Sequence, residues 1–150
     1  VIQPVIMFSK ACEYGIRATV YVAQQSRQGH RVSLKRIAWE IDSPVAFTAK
    51  ILQQLTKHEI IRSVMGVNGG FEMHEVQRSQ IRLSQIVEAI DGPDIYRRCA
   101  LGLPGCNALK PCPVHNKFVT IRNDLKNMLE STYISELADG VDTGLAFLKR

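Results

Sequence analysis

Apolar positions recur at gaps of three and four through the first part of the chain. After Ser9, a good helix cap, Cys12, Ile16, Val20 and Ala23 fall on one helical face, and SRQGHR with Gly29 ends the run. Ser33 caps a shorter helix, SLKRIAWEI, with Leu34, Ile37, Ala38 and Ile41 inward. The pair Ser43-Pro44 opens a third helix, a serine cap with proline at the first helical position. Phe47, Ile51, Leu52 and Leu55 give it a core face. The period then changes. IIRSVMGVNGGFEMHE alternates, and GVNGG at its centre tolerates positive φ, which predicts a β-hairpin. Leu83, Ile86, Val87 and Ile90 predict a fourth helix, stopped at DGP by Gly92 and Pro93. Three helices followed by a hairpin is a winged helix-turn-helix pattern. The expected fold class is mainly α with a small β-hairpin wing.

A long helix is predicted over 116–131. Its Phe118, Ile121, Leu125 and Met128 repeat with gaps of three and four, a seam as narrow as that of a coiled coil. A lone surface helix shows a broader stripe, so these four are read as a homodimer contact rather than as packing within one subunit. The chain divides into a winged helix-turn-helix (7–80), a cysteine loop with the dimer helix (81–139), and a tail (140–150) whose weak signals predict disorder.

With 150 residues, 45% of them hydrophobic, the chain suffices for one domain with a real core and needs no disulfide staples. Its net charge of +5 and pI near 9.2 favour a polyanionic partner. The excess is local: between 27 and 62, Arg27, Arg31, Lys35, Arg36, Lys50, Lys57 and Arg62 face only Glu40, Asp42 and Glu59. No apolar run is long enough to span a membrane. The opening VIQPVIM is short, lacks a basic start and has no cleavage-like site, so it does not read as a signal peptide, and Met7 reads as a native start. A cytoplasmic location is expected, where clustered cysteines bind metal or sense redox state more often than they form structural disulfides.

In a helix-turn-helix the second helix enters the major groove of double-stranded DNA and its N-terminal residues face base edges. Ser33, Ser43 and Thr48 are candidates for hydrogen bonds to bases or phosphates, and Val45 and Ala46 are small enough to meet a thymine methyl. Lys35, Arg36, Lys50, Lys57 and Arg62 are candidate phosphate contacts. The hairpin tip, with Asn68 and Gly69, is placed to approach the backbone or minor groove. The bland alternative is a protein-docking winged helix. The local basic excess favours DNA.

Cys99-x6-Cys106-x5-Cys112-x2-His115 sets three thiols and an imidazole on one Gly- and Pro-rich loop. Soft thiolates bind soft metals, and these four side chains suffice for an iron–sulfur cluster or for a tetrahedral Cys3His zinc site. Spacing alone does not divide the two. A zinc site would suit a nucleic-acid-binding protein; thiols without metal would suit a redox switch. Cys12, on the apolar side of the first helix, reads as core. No phosphate loop, HExxH or serine elbow is present, so an enzyme is not expected.

The segments MFSKACEYGIRATVYVA, SLKRIA, ILQQLTKHEIIRSVMGVNGGF and LSQIVEAIDG, followed by the cysteine loop, resemble the winged-helix transcriptional regulators typified by IscR and NsrR, the Rrf-two family. The likeness runs from Met7 to about Asp139. It implies a homodimer clasped by the long helix and a cluster in each subunit, 2Fe–2S favoured and 4Fe–4S the alternative. IscR-like members hold their cluster with three cysteines and a histidine, which carries onto Cys99, Cys106, Cys112 and His115. NsrR-like members use a carboxylate of the first helix from the other subunit, which carries onto Glu13. The resemblance thus implies a sensor of iron–sulfur status, nitric oxide or redox stress. The chain departs from the pattern in its first cysteine gap, one residue longer than expected. It also has Met65 and Ala49 where IscR-like proteins carry a wing arginine and a base-reading glutamate, so their operator preference is not carried over.

Overall fold

The computed structural model describes residues 7–149. The apolar opening, apart from Met7, and Arg150 lie outside them. Seven α-helices and one two-stranded antiparallel hairpin follow in the order α1 (Lys10–Arg27), α2 (Leu34–Glu40), α3 (Val45–Lys57), β1 (Arg62–Val64), β2 (Gly70–Glu72), α4 (Glu75–Gln80), α5 (Leu83–Asp91), α6 (His115–Ser131) and α7 (Ile134–Asp142), with a 3-10 turn over Pro93–Tyr96. This is the expected winged helix-turn-helix, mainly α with a small hairpin wing.

Helix α1 starts where the pattern places it. Ser9 Oγ accepts from the Cys12 amide at 3.0 Å. The Ser9 amide and hydroxyl both donate to the carboxylate of Asp91, the last residue of α5. A carboxylate therefore sits against the N-terminus of α1, where the helix dipole favours negative charge. The two helices also approach closely. A Cβ added at Gly15 would meet the tip of the Ile90 side chain, which would have to shift.

Cys12, Ala18, Val20, Val22, Ile37, Ile51, Leu52, Leu55, Ile86, Val87, Leu129 and Ile134 belong to one buried cluster, so α1, α2, α3, α5, α6 and α7 share a core. In α2, Ser33 accepts from the Arg36 amide at 3.2 Å, and Ile37, Ala38 and Ile41 are buried as expected. Helix α3 begins one residue later than expected. Pro44, not Ser43, is its cap, and the Thr48 amide donates to the Pro44 carbonyl to close the first turn.

The wing pairs Arg62 with Glu72, Ser63 with Phe71 and Val64 with Gly70. Val32, just before α2, exchanges two backbone hydrogen bonds with Phe71, at 3.0 and 2.8 Å, and so anchors the hairpin to the helices. Gly70 makes this possible, since its φ is 141° and a Cβ there would lie 2.8 Å from the Val32 carbonyl oxygen.

Helix α4 buries no residue of its own, and its start is held by Gln77 Oε1 accepting from the His74 amide at 2.9 Å. Helix α7 packs on α1 through buried Ile134 and Ala138, with Arg27 paired to Asp139 and Gln24 donating to Asp142 at 2.7 Å. Of the tail, residues 140–142 complete α7, and Lys149 lies over the Trp39 ring with Nζ 3.9 Å from the centroid. No helix among the described residues is long and apolar enough to cross a membrane.

Candidate nucleic-acid interface and cysteine site

Helices α2 and α3 are joined by residues 41–44, with Asp42 in the left-handed region at φ 52°. The outer side of α3 presents Val45, Ala46, Lys50 and Lys57, with Gln53 and Gln54 between them. The two glutamines were not singled out from the sequence. Their amides both donate and accept on the same exposed side as Lys50, so helical phase around that residue was the available signal. Lys35 on α2 and its cap Ser33 are exposed.

Thr48 is not on this surface. It has no exposed area, and its hydroxyl lies 2.9 Å from both the Ser43 hydroxyl and the Pro44 carbonyl. A fully buried hydroxyl with local partners cannot reach DNA, and Thr48 is withdrawn as a base contact. Ser43 is half-buried and partnered by Thr48.

Arg36 is already engaged. It pairs with Glu40 at 2.7 Å, reaches the Tyr21 hydroxyl at 3.4 Å and lies 5.0 Å from the Trp39 ring centroid. Arg62 meets His74 Nε2 at 2.6 Å at the wing base. At the wing tip Asn68 is exposed and Gly69 half-buried, while Met65 and Val67 stand almost fully in solvent. Arg31, which sequence reading did not assign, steadies the wing by pairing with Glu72 at 2.8 Å and donating to the Asn68 carbonyl at 3.2 Å. The exposed indole of Trp39 beside this face was likewise not anticipated.

The cysteine loop leaves the 3-10 turn and ends at the first residue of α6. Gly102 and Gly105 adopt φ of 74° and 70°, turns that fold it on itself. Asn107 accepts from the amides of Leu109 and Lys110 at 2.8 and 3.3 Å. His115 opens α6, and its Nδ1 lies 3.2 Å from Cys106 Sγ. Cys99 is buried, and Cys106 and Cys112 are half-buried. Backbone N–H groups of Leu101 and Leu103 draw the Cys99 thiol below its ordinary pKa; burial opposes them, and a hydrogen bond with Cys112 and the Arg122 charge add to the lowering.

Cys106 and His115 meet directly, and Cys112 acts on the Cys99 thiol. Arg122 of α6 borders both, donating to Cys106 Sγ at 2.9 Å and acting on Cys99 through its charge. Among the described residues no three His, Cys, Asp or Glu side chains converge as a metal-holding group. The donor chemistry nonetheless fits a soft metal or an iron–sulfur cluster, with three thiols and an imidazole on one loop. Glu13 does not join them within a subunit. It is half-buried on α1, and its partner is Lys10 at 3.4 Å.

The four residues read as a dimer seam divide between two environments. Phe118, Ile121 and Met128 are exposed by 37, 58 and 45%. Leu125 is half-buried against the subunit's own core, beside buried Leu129.

A family model described as "Iron-dependent Transcriptional regulator" matches residues 8–140. A protein of Aquifex aeolicus described as an HTH-type transcriptional regulator is 28% identical over 88% of this chain and 91% of its own. The HTH-type transcriptional regulator IscR of Sodalis glossinidius is 26% identical over 83% of this chain and 73% of its own. Among solved structures, CymR, the global cysteine regulator of B. subtilis, has a TM-score of 0.72 at 19% identity, covering 92% of this chain and 98% of that one. T. potens IscR has a TM-score of 0.72 at 18% identity, covering 97 and 93%. With the matched region running from α1 into α7 and the helix-turn-helix, wing and cysteine loop all inside it, the chain belongs to the Rrf2 family of transcriptional regulators and is not an enzyme.

Proposed function

We propose that this chain is a homodimeric, cytoplasmic regulator that binds double-stranded DNA through α3 and the wing. In this reading it senses iron–sulfur status, nitric oxide or redox stress through the cysteine loop. The observation that carries the reading is the gathering of Cys99, Cys106, Cys112 and His115 on one loop that runs straight into α6. A cluster, 2Fe–2S favoured and 4Fe–4S the alternative, would be held by the three cysteines and either His115 or Glu13 of the partner subunit. It would supply reversible redox and ligand-binding chemistry. The chain's own part is mechanical. The loop is continuous with α6, and α6 carries the outward apolar stripe of Phe118, Ile121 and Met128 proposed as the dimer contact. A change in the loop therefore biases how two α6 helices pack, and with it the spacing of two α3 helices on half-sites. Lys35, Lys50, Lys57 and Arg62 contact phosphates, Val45 and Ala46 face bases, and Ser33, Asn68 and Gly69 meet the backbone.

A second reading, a thiol switch without cluster, is favoured by the lowered pKa of the Cys99 thiol and by free Cys112 on the same loop. Hydrogen peroxide would accept two electrons and two protons from these thiols, forming one disulfide and two waters. One experiment separates the readings. The protein is purified anaerobically, its visible spectrum is recorded, and iron, sulfide and zinc are assayed. Brown protein with iron and sulfide in similar amounts, lost in Cys106→Ala, is the expected result. His115→Ala against Glu13→Ala then assigns the fourth ligand. Colourless protein after attempted reconstitution, with a peroxide-dependent Cys99–Cys112 disulfide, overturns the cluster in favour of the switch. One zinc per chain overturns both.

A further inference from the structure

Arg122 lies on the inner side of α6, half-buried, between the helix and the cysteine loop. Its Nη1 donates to the Arg98 carbonyl at 2.7 Å and its Nη2 to Cys106 Sγ at 2.9 Å. The first acceptor follows the 3-10 turn, onto which the amides of Arg97 and Arg98 fold back by donating to the Asp94 carbonyl at 2.9 Å. The second is the middle cysteine, which also touches His115. One planar guanidinium thus closes the segment 98–106 onto the helix that follows the loop. Its Nε is buried without a partner, a donor still free for a further acceptor.

We propose that Arg122 is the positioning residue of the cysteine loop, a two-pronged clamp fixing the Arg98 carbonyl and the Cys106 sulfur to α6. Arginine suits the task because its rigid fork reaches two acceptors in one plane; a lysine ammonium on a flexible stem does not hold both. The clamp makes loop and helix move as one body. The inference rests on reading 99–115 as the sensing loop, but not on which cofactor or thiol chemistry operates there.

The test is hydrogen exchange followed by mass spectrometry on the metal-free full chain, comparing wild type, Arg122→Ala and Arg122→Lys. Arg122→Ala is expected to speed exchange in 98–106 by about tenfold or more, the factor for losing a hydrogen bond to a charged donor. Amides of α1, α3 and the wing should keep their protection. Arg122→Lys should leave most of the acceleration in place. Unchanged exchange in Arg122→Ala, or full protection restored by lysine, overturns the clamp. Should alanine loosen α6 as a whole, read from amides around Leu129, the lysine variant alone decides, accelerated exchange supporting the clamp and wild-type exchange overturning it. In iron-loaded protein, a shift of the visible circular dichroism bands in Arg122→Lys would be a second signature. A colourless wild type would sink the cluster reading and leave the exchange comparison intact.

Discussion

Cys12 is buried in the first helix, one turn from the Ser9–Asp91 link to the fifth. Burial, then the charge and hydrogen bond of Asp91 and the charge of Glu13, push its thiol up to about 12 from an ordinary 9.0. A thiol whose folded pKa is raised contributes stability below its unfolded pKa and loses it as pH climbs towards the folded value. The urea midpoint of wild type should therefore fall between about pH 9 and 12, and the stability difference between wild type and Cys12→Ala should shrink over that range. A difference that stays constant from pH 8 to pH 11 would show that the thiol proton carries none of it. Gly15 offers a second check at this scale. Gly15→Ala places a methyl group against Ile90 and should cost about 1 to 3 kcal/mol in urea denaturation, the usual penalty for an overfilled core. The inward role of Cys12 was legible from helical phase. The fate of Thr48 was not, because a hydroxyl near a helix start serves equally well as a surface contact or as a bond back onto its own first turn. Only the placement of Ser43 and Pro44 decides between them.

At the scale of elements, five helices and the wing were readable because each carries its own signal: a serine before α1 and α2, Ser43-Pro44 at α3, glycines at the hairpin, DGP after α5, and the apolar seam of α6. Helices α4 and α7 were not. Helix α4 is six residues long and buries none of them, so no periodic stripe exists to be seen. Helix α7 is stabilised by Ile134 and Ala138 against α1, a tertiary debt that local sequence does not announce. The contact of Cys106 with His115 was likewise beyond spacing, since Gly102 and Gly105 permit many paths and Arg122 selects one. The proposed reading head makes a direct prediction. Lys50→Ala with Arg62→Ala should weaken operator binding and lower the slope of log affinity against log salt by about two, from two lost phosphate contacts. Anisotropy titrations from low to physiological salt would measure it. An unchanged slope would remove these residues from the interface.

For the whole molecule, the exposed stripe on α6 is the proposed dimer contact. Replacing Phe118 and Ile121 together with glutamate leaves the core residues Leu125 and Leu129 in place and should yield a folded monomer, seen by light scattering, with DNA binding reduced to that of a single half-site. A double variant that remains dimeric would place the contact elsewhere. The return of the chain after α7 has another outcome. Lys149 rests on Trp39, which places this last described residue beside the helix-turn-helix. An affinity tag or fluorescent reporter attached there would crowd the groove-facing end, and affinities measured with it should be weaker than those of the tag-free chain.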